Sequence, residues 1–527
     1  MTTVRDAAFE VLRQFGMTRL FANPGSTEVA LLADLPDDFQ FVLGLHEGSV
    51  VGMASGHALA TGSPALVLLH TTAGFGNAVG AIATARTNKA PLVILVGQQD
   101  RRHLASDPFL AGHLEGLAGS YPVSLRQPAR PADVPAAIAR AVHEAALQRG
   151  PAIVVVPMSD WSEPADETIA LPAPTRLCVA SGMGEQLAAE LTAFVDTALR
   201  PAVVVGPGAD SAEAWSGLTA LAERLDCPVW QEAHGSQSGF PQDSPRFRGH
   251  LPPTRGALRE TLAAHDLVLV VGGPAFRQGT WEPGPFVDAD TTVVVITSDP
   301  EEATYSAADL AVLGDVAGVV ADLAGRVAPR AATAPPAPRR PVPMPEGDTL
   351  RAEHVYAALA ERLPEDATVF EESPSTRRLM LDLIPTRRPF GFVTVAQGGL
   401  GFALPASIGV RMARPDRPVV ALLGDGASLY NVQGLWSAQH YRVGTLFVVL
   451  SNGGYAVMDR LAAAHGGKPP WPHFDEVSVS TIASGFGCAT SRVATREQLV
   501  EELDRVLPTL RDRTEPLLLE VAVEATA

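Results

Sequence analysis

Residues Val419–Tyr455 read VVALLGDGASLYNVQGLWSAQHYRVGTLFVVLSNGGY. An apolar run leads into Gly424-Asp425-Gly426, a helix-like stretch follows, and a second apolar run, TLFVVL at 445–450, ends at Ser451-Asn452. Runs of Val, Leu and Phe without polar alternation read as parallel strands covered on both faces. Asp425 and Asn452 stand 27 residues apart, room for a helix and a return strand. In a right-handed crossover the carboxyl ends of the two strands then meet at one sheet edge. Three hard oxygens converge there: the Asp425 carboxylate, the Asn452 amide oxygen and the Gly454 carbonyl. That set suits Mg²⁺, which takes oxygen ligands and is completed by phosphate and water. The glycines let the backbone approach a diphosphate closely. Gly-Asp-Gly alone is only a tight turn; the spaced Asn and its glycines give it chemical meaning.

Outward from this stretch the same pattern recurs. AIVVV at 152–156 and LVLVV at 267–271 are also buried-strand runs, far too short to cross a membrane as helices. The expected class is α/β. Two proline-dense breaks, SEPADETIALPAPTR (162–176) and APRAATAPPAPRRPVPMPEG (328–347), block helix and central strand alike and divide the chain near 1–161, 182–327 and 348–527. Three units are also what 527 residues predict. With 46% apolar and 19% charged residues the composition is globular.

A net charge of -18 repels a phosphate backbone and no dense Lys/Arg stripe offsets it, so nucleic acid is excluded as a partner. Cys178, Cys227 and Cys488 are scattered and odd in number, which suggests neither a disulfide framework nor a metal cluster and fits a reducing cytoplasm. The amino-terminal MTTVRDAAFEVLRQFGM lacks the basic start and apolar run of a signal peptide.

Gly-Asp-Gly followed at this interval by Asn resembles the diphosphate motif of thiamine diphosphate enzymes, with Ser451-Asn452 where that pattern usually ends Asn-Asn. The nearest family by resemblance is benzoylformate decarboxylase. The likeness covers nearly the whole chain, including NPGSTE (23–28), LHTTAGFGNAVGA (69–81), VGQQDR (96–101), RGHLPP (248–253) and FRQGTWEPG (276–284). It implies three doubly wound parallel-sheet domains: pyrimidine-binding, middle Rossmann-like, and diphosphate- and Mg-binding. The middle domain need not bind a nucleotide, since Gly206-Pro207-Gly208 lacks the third glycine of the dinucleotide fingerprint.

The resemblance also implies residue roles. Glu47 matches the glutamate that bonds the cofactor's pyrimidine nitrogen and favours the tautomer able to deprotonate the thiazolium carbon. Gly398 matches a carbonyl acceptor for the cofactor's amino group, and Leu400 the apolar wedge that holds the cofactor bent. Ser375, in FEESPSTRR (370–378), is the expected diphosphate hydroxyl. Gly424, Asp425, Gly426, Ser428, Tyr430, Asn452, Gly454 and Tyr455 complete the cofactor set, with Asp425, Asn452 and Gly454 as metal ligands. Ser26 matches a residue that binds the substrate carboxylate, and His70 the active-site histidine that handles protons; its place after ALVLLH is where ligands gather in parallel sheets. The helix that begins at Glu47 is crowded with small residues, which predicts close approach of another helix at a subunit contact.

The chain departs from the family at Gly279, where a second catalytic histidine is usual, and at Leu461, where the pocket commonly carries an aromatic residue. Pro374 replaces another expected hydroxyl. His103, His113 and His465 are further proton-transfer candidates without an assigned place. The reading is a non-oxidative decarboxylase of a 2-oxo acid, releasing an aldehyde and CO₂, with thiamine diphosphate and Mg²⁺ as cofactors. Its alternative is an acetolactate synthase-like carboligase or a 2-hydroxyacyl-CoA lyase. A non-catalytic subunit that keeps the fold is the third possibility, and Glu47 argues against it. Because Glu47 and Asp425 lie in different domains that the family joins across chains, a homodimer or homotetramer is expected.

Overall fold

A computed structural model describes residues 2–166, 168, 174–331 and 341–524, so part of each proline-rich break lies outside the described residues. Three six-stranded parallel sheets flanked by helices carry the chain, as the α/β reading requires. In the first, β1 (Arg19–Asn23), β2 (Gln40–Leu43), β3 (Ala65–Leu69), β4 (Leu92–Gln98), β5 (Ser124–Arg126) and β6 (Pro151–Pro157) take the order β2-β1-β3-β4-β6-β5. In the second, β7 (Pro201–Val205), β8 (Val229–Gln231), β9 (Phe247–His250), β10 (Leu267–Val271), β11 (Thr292–Thr297) and β12 (Leu310–Leu313) run β12-β11-β10-β7-β8-β9. The third holds β13 (Thr368–Glu372), β14 (Phe392–Thr394), β15 (Val419–Gly424), β16 (Leu446–Ser451), β17 (Ala489–Val493) and β18 (Leu517–Ala522) in the order β14-β13-β15-β16-β18-β17.

The apolar runs are central strands. Every residue of β6 and β10 is buried, as is β16 up to Leu450. β15 and β16 are parallel neighbours, with Gly424 paired to Leu450. Asp425 and Asn452 therefore leave the sheet at the same edge. By compactness the chain divides into two units: Met1–Leu177 with Phe370–Ser375 and Val395–Ala527, and Cys178–Val369 with Thr376–Thr394. The first unit holds the first sheet and most of the third, and the second unit holds the second sheet.

Inside the first unit the small-residue helix Glu47–Thr61 packs on the helix Ala403–Ala413. A Cβ at Gly56 would lie 1.9 Å from the Ala406 carbonyl oxygen, and one at Gly409 1.8 Å from the Met53 carbonyl oxygen. Gly52 faces the Pro405 ring in the same way, at 2.5 Å. The close approach expected of the small face is thus met within the chain at these glycines, and twelve of the helix's residues are buried. Small residues signal that a backbone comes close without saying whose. Gly56→Ala should cost roughly 1–3 kcal/mol of stability, the range for overpacking a close contact, read as a lowered urea midpoint with unchanged slope. An unchanged midpoint would mean that the helices part freely.

Candidate active site

Past β15 the chain turns at Gly424 into a single helical turn, Asp425–Ser428. The Asp425 carboxylate is buried. Its Oδ1 accepts the N–H of Gly426 at 2.7 Å, and its Oδ2 accepts those of Asn452 at 2.9 Å and Gly453 at 2.7 Å. One side chain thus ties the end of β15 to the loop after β16. Asn452 Oδ1 accepts the Gly454 N–H at 3.2 Å. Gly453 has φ +70°, and a Cβ there would stand 1.9 Å from Asp475 Oδ1, so glycine is required on both counts. Burial pushes the Asp425 carboxyl above its ordinary value, although backbone amides oppose the shift. A divalent cation would reverse it by favouring the ionised form. The hard-oxygen set and a buried carboxylate short of positive charge therefore fit Mg²⁺.

Around this centre Ser428 Oγ donates to the Asp425 carbonyl at 2.7 Å, and Ser375 Oγ accepts the Val457 N–H at 3.1 Å. The Tyr455 ring stands 5.1 Å from that of Phe474, and a Cβ at Gly426 would meet it at 2.6 Å. Tyr430 is 55% exposed. Gly398 has φ +73° and precedes Leu400 in the turn that opens the Ala403–Ala413 helix.

Glu372, at the end of β13, is absent from the sequence reading yet governs that turn. Its Oε1 accepts the N–H of Gly401 at 2.5 Å, and its Oε2 accepts those of Phe402 at 2.8 Å and Ala403 at 2.7 Å. Complete burial nevertheless pushes its carboxyl up to about 7. Asn88 Oδ1 holds the other side of the turn through the Ala396 N–H at 3.0 Å.

The first sheet supplies a second constellation. Glu47, buried at the start of its helix, accepts from Asn23 Nδ2 on Oε1 and from Asn77 Nδ2 on Oε2, each at 3.1 Å. Two amide donors hold the carboxylate in one orientation. His70 follows β3, and its Nδ1 lies 3.0 Å from Glu28 Oε2 and 3.0 Å from Thr27 Oγ1. Thr27 Oγ1 itself donates to Glu28 Oε1, so both of its neighbours present lone pairs to Nδ1. The proton on a neutral His70 is therefore assigned to Nδ1, and Nε2 stays free to accept. Glu28 is fully buried and also accepts the Gly25 N–H at 2.7 Å. A Cβ at Gly25 would fall 2.4 Å from the imidazole ring, so only glycine lets this loop lie against His70. Ser26, next in sequence, is exposed beside it. A Cβ at Gly74 would be 3.3 Å from His70 Cβ and 3.4 Å from Glu47 Oε1, which brings these two residues to one place.

Glu28, Asn23 and Asn77 lie inside the quoted motifs NPGSTE and LHTTAGFGNAVGA, but nothing in either segment alone assigns their partners. His103, His113 and His465 are all exposed, and none of them joins the Glu47–His70 group. In the second unit, the nearest atom to a Cβ at Gly279 is His234 Nε2, at 3.9 Å.

Family comparison gives three matches along the chain: the thiamine pyrophosphate enzyme N-terminal TPP binding domain at residues 2–117, the central domain at 188–323 and the C-terminal TPP binding domain at 375–521. A benzoylformate decarboxylase of Pseudomonas aeruginosa is 38% identical over 532 residues, 99% of each chain. The solved structure of a thiamine diphosphate-dependent 4-hydroxybenzoylformate decarboxylase of Rhodococcus jostii RHA1 matches with a TM-score of 0.95 at 33% identity, over 99% of both chains. Acetolactate synthase isozyme 3 large subunit of Escherichia coli is 27% identical over 470 residues, 83% of this chain and 80% of that one.

Asp425→Ala should abolish magnesium-dependent binding of thiamine diphosphate while most of the fold survives. Calorimetric titration with and without the metal checks this, and an unchanged affinity would refute the ligand assignment.

Proposed function

Because the chain belongs to the thiamine pyrophosphate enzyme family, we propose that it is a magnesium-dependent, non-oxidative decarboxylase of a 2-oxo acid, yielding an aldehyde and CO₂. The observation that carries this reading is the joint placement of Glu47 and the Glu28–His70 pair beside Ser26. The names of the Pseudomonas and Rhodococcus relatives agree with it. Asp425, Asn452 Oδ1 and the Gly454 carbonyl would hold Mg²⁺ against the diphosphate, with Ser375, Ser428, Tyr430, Tyr455 and the glycines Gly424 and Gly426 around it. Gly398 and Leu400 would hold the rings. The bound cofactor supplies the electron sink for the bond that breaks.

The chain's own residues do the rest. Glu47, held by Asn23 and Asn77, keeps a carboxylate at the pyrimidine nitrogen and shares a proton there. Ser26 donates to the substrate carboxylate. His70 takes or gives a proton at Nε2, because Glu28 engages Nδ1. Position 279, where related decarboxylases usually carry a histidine, is glycine here, and the atom nearest to a Cβ built there is His234 Nε2, which is buried without a hydrogen-bond partner.

Exposed Tyr430, Tyr455, Met458 and Leu461 lie on the diphosphate side of the first unit, and their apolar surface supports assembly into a homodimer or homotetramer. The three free thiols support a reducing cytoplasm, and among the described residues no helix is long and apolar enough to cross a membrane. Gly279 and Leu461 favour a second reading, a carboligase or lyase acting on a non-aryl substrate. A product assay separates the two: aldehyde with CO₂ for the first, a hydroxyketone or acyl-CoA cleavage for the second.

Glu28→Gln should leave cofactor affinity intact and lower kcat on a 2-oxo acid by about a hundredfold, since the amide no longer fixes the His70 proton. Equal kcat in a stable variant would remove Glu28 from the mechanism. Gly279→His should raise benzoylformate turnover, because an imidazole would restore proton transfer at that position. Steady-state rates on benzoylformate and branched aliphatic 2-oxo acids check this. Stable variants with no change on any 2-oxo acid would favour the carboligase or lyase.

A further inference from the structure

The first unit contains a cavity of about 630 Å³ on the side of its sheets remote from the catalytic residues. Arg19 and Gln40 open β1 and β2, Arg442 precedes β16, and Arg511 and Arg513 precede β18, so the cavity sits at the amino ends of the parallel strands. Glu47, His70, Asp425 and Asn452 all follow carboxyl ends. The two places are separated by the length of the strands.

Five arginines line the cavity, Arg411 being the fifth, against two aspartates, Asp416 and Asp512. Arg411 is only 4% exposed and donates to the carbonyls of Arg417 at 2.5 Å and of Arg511 and Arg513 at 2.8 Å each. Arg19 donates to Gln40 Oε1 at 2.8 Å and the Met412 carbonyl at 3.2 Å. Arg513 reaches Thr509 Oγ1 at 3.4 Å, and its Nε is buried without a partner. Among the described residues none of these three meets a carboxylate at ion-pair distance. Arg442 does, pairing with Glu515 at 3.1 Å outside the lining. Burial lowers the pKa of Arg19, Arg411 and Arg513; Asp416 and Asp512 oppose that shift at Arg411, and Glu515 and Glu502 at Arg513, while burial alone acts on Arg19. This surplus is held in a chain whose net charge is -18.

We propose that this cavity is a second ligand site, for a small organic diphosphate. Guanidinium forks match phosphate oxygens in pairs, which carbonyl partners do not use up. With Glu515 set against Arg442, the lining still carries two more positive than negative charges, which a diphosphate can take up. The volume is in the range of small-molecule pockets, roughly 300–1,000 Å³, and leaves room for an organic group beside the phosphates. The site does not depend on which reaction the carboxyl-edge residues catalyse.

The test uses holoenzyme saturated with thiamine diphosphate and magnesium, so that the catalytic diphosphate site is filled, and titrates ADP by calorimetry with adenosine as control. One ADP should bind per chain while adenosine does not. Arg19→Gln and Arg442→Gln should each weaken ADP by about tenfold, leaving thiamine diphosphate affinity unchanged. Arg442 is exposed, so its variant tests the site even if Arg19→Gln fails to fold. Absence of ADP binding, equal binding by adenosine, or an affinity untouched in Arg442→Gln would overturn the proposal.

Discussion

Two backbones in contact tie the first sheet to the third. The Glu47–Thr61 and Ala403–Ala413 helices approach so closely at Gly56 and Gly409 that no side-chain atom fits between them. Each helix begins at a segment of the candidate site, Glu47 in one case and the Gly398–Phe402 turn in the other. A rigid contact halfway along both helices therefore fixes two groups that are distant in sequence. Dispersion and apolar burial supply the energy, but the shape comes from missing Cβ atoms.

The amino ends of these helices are then set by carboxylates. Glu372 satisfies three amides at the opening of one, and paired amide side chains steady Glu47 at the opening of the other. Asp425 and Glu28 follow the same pattern, Asp425 accepting the N–H groups of Gly426, Asn452 and Gly453 and Glu28 that of Gly25. A buried carboxylate is costly unless hydrogen bonds meet it. Here those bonds also orient it, so the desolvation cost is tied directly to positioning.

Much of this was legible in the sequence, for a physical reason. Asp425 and Asn452 sit at fixed offsets from strand ends, and strand ends are visible as the points where apolar runs stop. His70 and Glu47 obey the same rule. Glu372 does not, because its partners lie 29 to 31 residues onward across a strand pairing. Glu28 stood inside a quoted motif, yet its role depends on an imidazole 42 residues away. The small-residue helix was legible as a close contact, which it makes with the Ala403–Ala413 helix, but composition carries distance without identity.

Gly25 has a consequence for how this protein can diversify. The loop that presents Ser26 lies flat on the imidazole, and any side chain at 25 would displace His70 together with the hydroxyl that follows. That wall cannot be remodelled one residue at a time without moving the His70 ring away from Glu28. Adaptation to new substrates is channelled instead to surfaces with slack, such as the exposed turn bearing Met458 and Leu461. Homologues selected for different substrates should differ there while the loop at 25 stays constant, and directed evolution of substrate range should draw its productive changes from the same turn.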